Sequence, residues 1–189
     1  MNKGYEKLKE GLKDFEETSE IRFVIEDYND IFSNFDPRPL PKRGLSENFL
    51  AEAKRASIVK EAEKVDCIFL VPRKVRDFKG EVKIIERLQK YFKKHFNLLK
   101  NEKNKTIKKG TLFIASGIIV MLLATFLLFN FKQESFLTSF FVILLEPAGW
   151  FLFWEGLDLV IFDAKGTDVN LKFHKKMAHA NIKFISNLD

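Results

Sequence analysis

The sequence predicts a small α+β domain joined to a two-helix transmembrane hairpin, assembled as a symmetric homo-oligomer. The main observation is a run of 22 residues without a charge, Gly110 to Phe131, bounded by Lys109 and Lys132. As a helix this run measures about 33 Å, enough to cross a hydrocarbon core of about 30 Å. A second apolar run, Phe136 to Phe162, follows after a short polar tip. Two such runs in close succession predict a helical hairpin.

Charge is distributed unevenly along the chain, and this predicts the orientation of the hairpin. Residues 1–110 hold 26 Lys and Arg against 19 Asp and Glu, whereas residues 111–189 hold 6 against 7. Lysines flank the outer ends of both apolar runs, while the tip at 132–135 carries one cation. The positive-inside rule then places both termini in the cytoplasm and the hairpin in the inner (plasma) membrane. The lipid bilayer is therefore the first predicted partner.

The rest of the chain predicts a domain of helices and strands. A polar helix is expected over residues 3–17, and amphipathic spacing predicts helices from Ser46 to about Lys64, over 80–100 and over 168–180. Residues rich in Ile, Val and Phe predict strands at Glu20 to Asp27, Asp66 to Val71 and Ile182 to Ser186. Three domains are predicted: a cytoplasmic α+β domain at 1–109, the hairpin at 110–163, and a helix and strand at 164–189 that pack on the first domain.

The second span carries residues that a simple anchor does not need. Glu146 lies near its midplane, where an ionised carboxylate costs about 2.5–3.5 kcal/mol. Pro147 removes a helical hydrogen bond, so a kink or break is expected from Glu146 to Gly149. Repeated around an oligomer, acidic side chains would form rings of the kind that cation pores use. The predicted ion pathway comprises Asn130, Glu146, Pro147, Gly149, Glu155 and Asp158.

Two interpretations of Glu146 stay open at this stage. In one, the side chain is protonated or accepts hydrogen bonds from Ser116 or Thr125 across the hairpin. In the other, it faces a water-filled lumen. Glu155 and Asp158 likewise have an ordinary alternative, which is solvation or pairing with Lys172 or Lys176.

Basic residues gather in two places in the first domain, one in the proline-rich loop that follows the first predicted strand and one just after the second predicted strand. Loops at strand ends are common ligand sites, and cations attract phosphate groups. A nucleotide or oligonucleotide is the predicted ligand, and attraction to anionic lipid head groups is the alternative. The candidate ligand-binding residues are Arg38, Lys42 and Arg43 in the first cluster, and Arg73, Lys74 and Arg76 in the second.

Motifs of enzymes are missing from the sequence. It contains no Gly-rich phosphate loop and no nucleophile elbow, and His95, His174 and His179 lack the spacing of metal ligands. Cys67 is the sole cysteine and is interpreted as a buried apolar side chain. We therefore expect a protein that is not an enzyme and that uses no cofactor and no metal.

Two stretches, IFSNFDPRPLPKRGLSENFLAEAKR at 31–55 and LEPAGWFLFWEGLDLVIFDA at 145–164, carry a resemblance. They resemble a group of poorly characterised bacterial and archaeal membrane proteins that have a cytoplasmic α/β domain, two spans and a Gly-Trp-x-x-x-Trp motif. Here that motif is Gly149, Trp150 and Trp154. Many members of that group carry Arg-Pro after the second tryptophan, where this chain has Glu155-Gly156. In organisation alone, the chain is also similar to antiphage membrane channel effectors of the Hailong type.

These observations predict a homo-oligomeric ion channel or membrane-permeabilising effector that is gated by its cytoplasmic domain. Because two helices cannot enclose a pore, at least about four subunits are needed. The resemblance implies control by a nucleotide or oligonucleotide in antiphage defence. The alternative is a membrane-anchored scaffold or interaction protein with a basic cytoplasmic module.

Overall fold

The computed structural model of the chain describes residues 20–39, 42–60, 64–131 and 136–187. The helix predicted over 3–17 and the tip at 132–135 lie outside the described residues. The described chain is mostly helical and contains one three-stranded sheet. It forms two compact units, one that ends at Phe96 and resumes at Lys172, and one that runs from Asn97 to Leu171.

Within the described ranges, the fold consists of three strands and four helices of at least three turns, and all three predicted strands are among them. The helix predicted over 80–100 is part of the much longer α2. In chain order the elements are β1 (Glu20–Val24), a 3-10 helix (Tyr28–Ile31), α1 (Glu47–Val59), β2 (Asp66–Pro72), a 3-10 turn (Arg73–Val75), α2 (Phe78–Phe131), α3 (Phe136–Asp158), a π-helical segment (Leu159–Asp163), a helical turn (Ala164–Gly166), α4 (Asp168–Ala178) and β3 (Asn181–Asn187).

The sheet is parallel throughout, with the order β1-β2-β3. Its register aligns Phe23, Phe69 and Phe184 across the three strands. The rings of Phe23 and Phe69 stack at 5.3 Å between centroids, and those of Phe69 and Phe184 at 5.0 Å. Aromatic side chains on neighbouring strands stabilise such a pairing. The sheet therefore has a ladder of three phenylalanines on one face.

Amphipathic helices supply the rest of the core of this unit. Phe49 and Ala53 of α1, Phe92 of α2, and Phe173 of α4 are buried in it. Cys67 is fully buried in β2, and burial raises the pKa of its thiol to about 12. The interpretation of Cys67 as an apolar core side chain is thus confirmed.

Among the residues that the structure describes, two helices are long and apolar enough to cross a membrane. The candidate spans lie within Phe78–Asn130 and Phe136–Gly166, and only 11% of each apolar window is buried. A core helix of a soluble protein is mostly buried, so these windows differ from that class. The expected continuation of the 80–100 helix into the first apolar run is confirmed, because α2 is one helix from Phe78 to Phe131.

α2 and α3 pack against each other, antiparallel, along a seam of small residues. A Cβ added at Gly117 would lie 2.6 Å from the backbone nitrogen of Phe153, and one at Gly149 would lie 2.7 Å from Cγ of Met121. No side chain fits at these distances, so the two backbones approach closely, as in other apolar helix pairs. The seam consists of residues spaced by seven, all buried: Gly110, Gly117 and Ala124 on α2, and Val142, Gly149 and Gly156 on α3.

The helix is not broken at Pro147, contrary to one form of the expectation. α3 is helical from Phe136 to Asp158 with Pro147 inside it. Pro147 is exposed, on a side of the helix away from the seam. The irregularity lies later, at Leu159–Asp163, where the helix widens to π-helical hydrogen bonding. Such π segments occur frequently at functional sites.

The seam generates a stability prediction. Gly117→Ala forces the helices apart, because the added Cβ meets the Phe153 backbone. Overpacking of this kind costs about 1–3 kcal/mol. We therefore expect a lower thermal unfolding midpoint for the detergent-purified protein.

Gly166→Ala is the matched control, since a Cβ there meets no atom within 4 Å. Alanine is also the better helix former, so this control should unfold at the same temperature or slightly higher. Equal midpoints for the two variants would contradict the close approach of α2 and α3.

Candidate functional site

The loop after β1 is closed at its base by backbone hydrogen bonds. The Asp27 side chain caps the 3-10 helix that starts the loop. Beyond it, Phe32 and Leu45 form an antiparallel bridge. The Ser33 amide donates to the Gly44 carbonyl at 2.8 Å. The described residues between Ser33 and Gly44, at 34–39 and 42–43, therefore project from a fixed base, and they carry the first basic cluster.

Asp36 organises the described part of this projecting loop. Its carboxylate accepts from Arg38 Nε at 2.9 Å and Nη2 at 2.7 Å, and from the Gly44 amide at 2.7 Å. The hydrogen bonds from the Arg38 side chain and the Gly44 amide hold the pKa of Asp36 well below its usual range. The carboxylate stays ionised at physiological pH, and Arg38 has a fixed partner.

Arg43 and Lys42 complete the first cluster in different ways. Arg43 donates through Nε to the Arg38 carbonyl and through Nη1 to Oδ1 of Asn29, both at 3.1 Å. Lys42 has an exposed side chain. The carbonyls of Lys42 and Arg43 accept from Arg87 of α2, at 3.1 and 2.8 Å. Arg87 therefore positions this loop, a role that its place in the sequence does not indicate.

An open groove of about 1040 Å³ lies beside the first cluster. It is formed by the projecting loop and the start of α1, and no Lys or Arg is among the described residues that line it. Two lining residues, Asn29 and Asp36, are those that hold Arg43 and Arg38. The predicted cations therefore lie at the rim of the groove. Sequence reasoning missed the groove itself, because its walls come from segments without a motif.

The second cluster separates into two kinds of residue. Arg73 and Lys74 are exposed. Arg76 is largely buried and forms an ion pair with Glu81, with Nε at 2.5 Å and Nη2 at 2.9 Å from the two carboxylate oxygens. Its Nη1 donates to the Ser186 hydroxyl of β3 at 3.0 Å. Arg76 is thus built into the fold, whereas its two neighbours are accessible to a ligand.

Tyr28 completes the network around Glu81. Its hydroxyl donates to Glu81 at 2.7 Å and accepts from the Asp77 amide at 2.9 Å. Burial, together with the Glu81 carboxylate, raises the pKa of Tyr28 to about 12. The phenol therefore keeps its proton and donates across the physiological range.

The two basic clusters follow neighbouring strands of the sheet along the chain. One follows the carboxyl end of β1 and the other follows the carboxyl end of β2. β1 and β2 are parallel neighbours, so their carboxyl ends meet. This is the edge where open parallel sheets bind ligands. The segments that lead from these two strands into the basic clusters therefore start at one edge of the sheet.

The predicted ion-pathway residues occupy different positions on the helix pair. Glu146 and Pro147 are exposed, Gly149 belongs to the seam, Glu155 is half-buried and Asp158 is exposed. Asn130 is exposed and donates to the Phe126 carbonyl of its own helix at 2.9 Å. Glu146 makes no hydrogen bond or ion pair with the residues that the structure describes.

Three of the expected partners of the acidic residues, Ser116, Thr125 and Lys176, are engaged elsewhere. Ser116 donates to the Phe113 carbonyl and Thr125 to the Met121 carbonyl, each at 2.9 Å within α2. Hydrogen bonds across the hairpin to Glu146 are therefore not formed. Lys176 donates to the carbonyls of Ser57, at 3.1 Å, and Lys60. It thus holds the end of α1.

The histidines expected to be scattered are partly brought together. His95 of α2 and His174 of α4 stack at 5.6 Å between ring centroids. Across residues 20–39, 42–60, 64–131 and 136–187, no three His, Cys, Asp or Glu side chains are grouped as metal ligands.

No family model, no curated protein and no solved structure matches this chain.

Because Arg76 is in a buried ion pair with Glu81, substitutions of Arg76 and of its exposed neighbour Arg73 should affect stability differently. Removing one partner of a buried ion pair costs about 3–5 kcal/mol, because the other charge is left uncompensated. Arg76→Ala should therefore lower the thermal midpoint of the purified protein strongly.

Arg73→Ala removes a cation three residues away that is exposed and should leave the midpoint unchanged. If both variants unfold at the same temperature as the wild type, the Arg76–Glu81 pair does not stabilise the structure. A ligand assay on Arg76 variants is informative only after this comparison.

Proposed function

We propose that this chain is a homo-oligomeric membrane channel whose two apolar helices span the plasma membrane, with both termini in the cytoplasm. The length of α2 and α3, the exposure of most of their apolar surface, and the lysines at their outer ends support the membrane location. A hairpin that buries only its seam leaves the remaining surface to lipid and to other copies of the chain.

The observation that carries the proposal is the exposure of Glu146 in a single hairpin. The seam fixes the rotation of α3, and Glu146 falls outside it. Facing lipid, an ionised carboxylate would cost about 2.5–3.5 kcal/mol at the helix centre. Within an oligomer the same side chain meets other subunits or water. Ser139 lies seven residues before Glu146 on the same line of the helix, which makes this line more polar than its neighbours.

The pathway then runs along residues of several hairpins. Glu146 lines it near the midplane, and Glu155 and Asp158 form acidic rings near the cytoplasmic end. Rings of carboxylates favour cations. Pro147 lies next to Glu146 within α3, and the π-helical segment at Leu159–Asp163 follows the end of α3. These are the deformable points of the proposed second span.

Control of the pathway belongs to the cytoplasmic unit in this proposal. The carboxyl edge of its sheet presents exposed cations, which suit an anionic ligand such as a nucleotide or short oligonucleotide. A ligand that binds two states of this unit differently shifts the balance between closed and open channels. Antiphage defence is the biological setting that the resemblance suggests.

A second candidate function is a membrane-anchored scaffold. The exposure of Lys42, Arg73 and Lys74 favours it, because unengaged cations near a membrane also attract anionic lipid or an acidic partner. This candidate needs neither a closed oligomer nor a role for Glu146.

Glu146→Gln distinguishes the two functions in planar-bilayer recordings. If Glu146 lines the pathway, loss of its charge should lower cation preference and single-channel conductance, while the mass of the assembly stays the same. The amide keeps the size of the side chain and one acceptor oxygen, while it removes the charge.

Glu102→Gln is the matched control, since Glu102 is an exposed carboxylate in the polar part of α2. It should leave selectivity unchanged. Wild-type currents in Glu146→Gln would remove Glu146 from the pathway, and the absence of any current from the wild type would favour the scaffold.

A further inference from the structure

We propose that the groove beside the first basic cluster is a nucleotide-binding site, in which Phe35 stacks on the base and Arg38 and Arg43 contact the phosphate. This inference rests on the proposed function, because it names the site and the class of the anionic ligand. The groove measures about 1040 Å³ and is open to solvent, and this size accommodates a mononucleotide.

Phe35 supplies the stacking surface. Its side chain is 99% exposed although it lines the groove, so both faces of the ring are available. A fully exposed phenylalanine gains nothing from the hydrophobic effect in the free protein. Aromatic side chains beside cations are the usual platform for the bases of single nucleotides and single strands.

Amide side chains in the groove suit the edge of a base. Asn34 and Asn48 line it and are exposed, and within the described part of the chain neither side chain makes a hydrogen bond. Each amide offers donors and an acceptor, the combination that pairs with Watson–Crick edges. Glu47, also in the lining, is an acceptor for an exocyclic amine.

The other two carboxylates of the groove are already engaged. Asp30 accepts from the amides of Glu26, at 2.9 Å, and Asp27, at 3.2 Å. Asp36 is paired with Arg38. These contacts reduce the repulsion that a phosphate would otherwise meet, and they leave the cationic rim as its preferred position.

Both arginines at the rim keep unused donors. Arg38 engages Asp36 through Nε and Nη2, and Arg43 engages the Arg38 carbonyl and Asn29 through Nε and Nη1. In each case one terminal guanidinium nitrogen makes no hydrogen bond to the described residues. Their anchored guanidinium groups are pre-organised donors, and arginine binds phosphate through such geometry.

The test is calorimetry on the full-length protein in detergent at low ionic strength. The probes are the four nucleoside 5′-monophosphates, with ribose 5-phosphate as the ligand that lacks a base. We expect at least one nucleotide to bind more tightly than ribose 5-phosphate. Phe35→Ala should weaken the binding of that nucleotide about tenfold or more, as is typical when a stacking aromatic side chain is truncated.

Two controls make the result specific. Phe35→Trp should retain binding, because the indole also stacks. Ile58→Ala removes an exposed apolar side chain of α1 that does not line the groove, and should leave the affinity unchanged. For the rim, Arg43→Glu should reduce the affinity and its salt dependence, whereas Arg55→Glu, on the exposed surface of α1, should not.

The proposal is overturned if no nucleotide binds at millimolar concentration, or if ribose 5-phosphate binds as tightly as the nucleotides and Phe35→Ala binds like the wild type. Equal weakening by Phe35→Ala and Ile58→Ala also overturns it. The channel proposal is tested by a separate result. If the protein is a monomer that passes no current, yet binds a nucleotide through Phe35, the nucleotide site is supported and the channel is contradicted.

Discussion

Glycine is required where α2 and α3 come closest, and this constraint decides which side chains the helix pair turns outward. At Gly117 and Gly149 the space for a Cβ is already occupied by the opposite helix. The close approach gains dispersion contacts along the seam and fixes the rotation of each helix. Residues outside the seam, over 110–130 of α2 and throughout α3, are then exposed or half-buried on the outer surface of the helix pair. Glu146 is one of these exposed residues, and the proposal of an oligomer follows from its exposure.

The unit that contains the sheet uses arginine in two ways that sequence alone does not separate. Arg76 is buried against Glu81 and Ser186, so it holds the start of α2 to the end of β3. Arg38 and Arg43 are also paired, but with acceptors at the rim of an open groove, and both remain partly accessible. A buried ion pair of the first kind contributes to the structure, because breaking it strands a charge. A rim arginine of the second kind keeps donors for a ligand.

Local patterns predicted the regular elements well. Strands rich in Ile, Val and Phe and the helical spacing of Ile84, Leu88 and Phe92 are short-range signals, and the structure contains each of them. The seven-residue spacing of Gly110, Gly117 and Ala124 is also present in the sequence. Its meaning depends on the register between α2 and α3, which no local pattern specifies. Pro147 predicted an interruption, yet it lies on the exposed side of a continuous helix.

The candidate site was less predictable, because its contacts join distant parts of the chain. Arg76 and Ser186 are separated by 110 residues, so a basic run in the sequence cannot reveal that one member is buried. Phe35 would be expected in the core, because phenylalanine is an apolar residue that is usually buried. It is exposed because the bridge between Phe32 and Leu45 closes the loop base and leaves Phe35 beyond it.

The mass of the full-length protein in lipid nanodiscs tests the central claim most directly. A channel in which Glu146 is covered by neighbouring copies should give one closed stoichiometry of at least about four chains, because fewer two-helix subunits do not enclose a pore. A stable monomer, with Glu146 left facing lipid, would contradict the account and leave the membrane-anchored scaffold as the function of this chain.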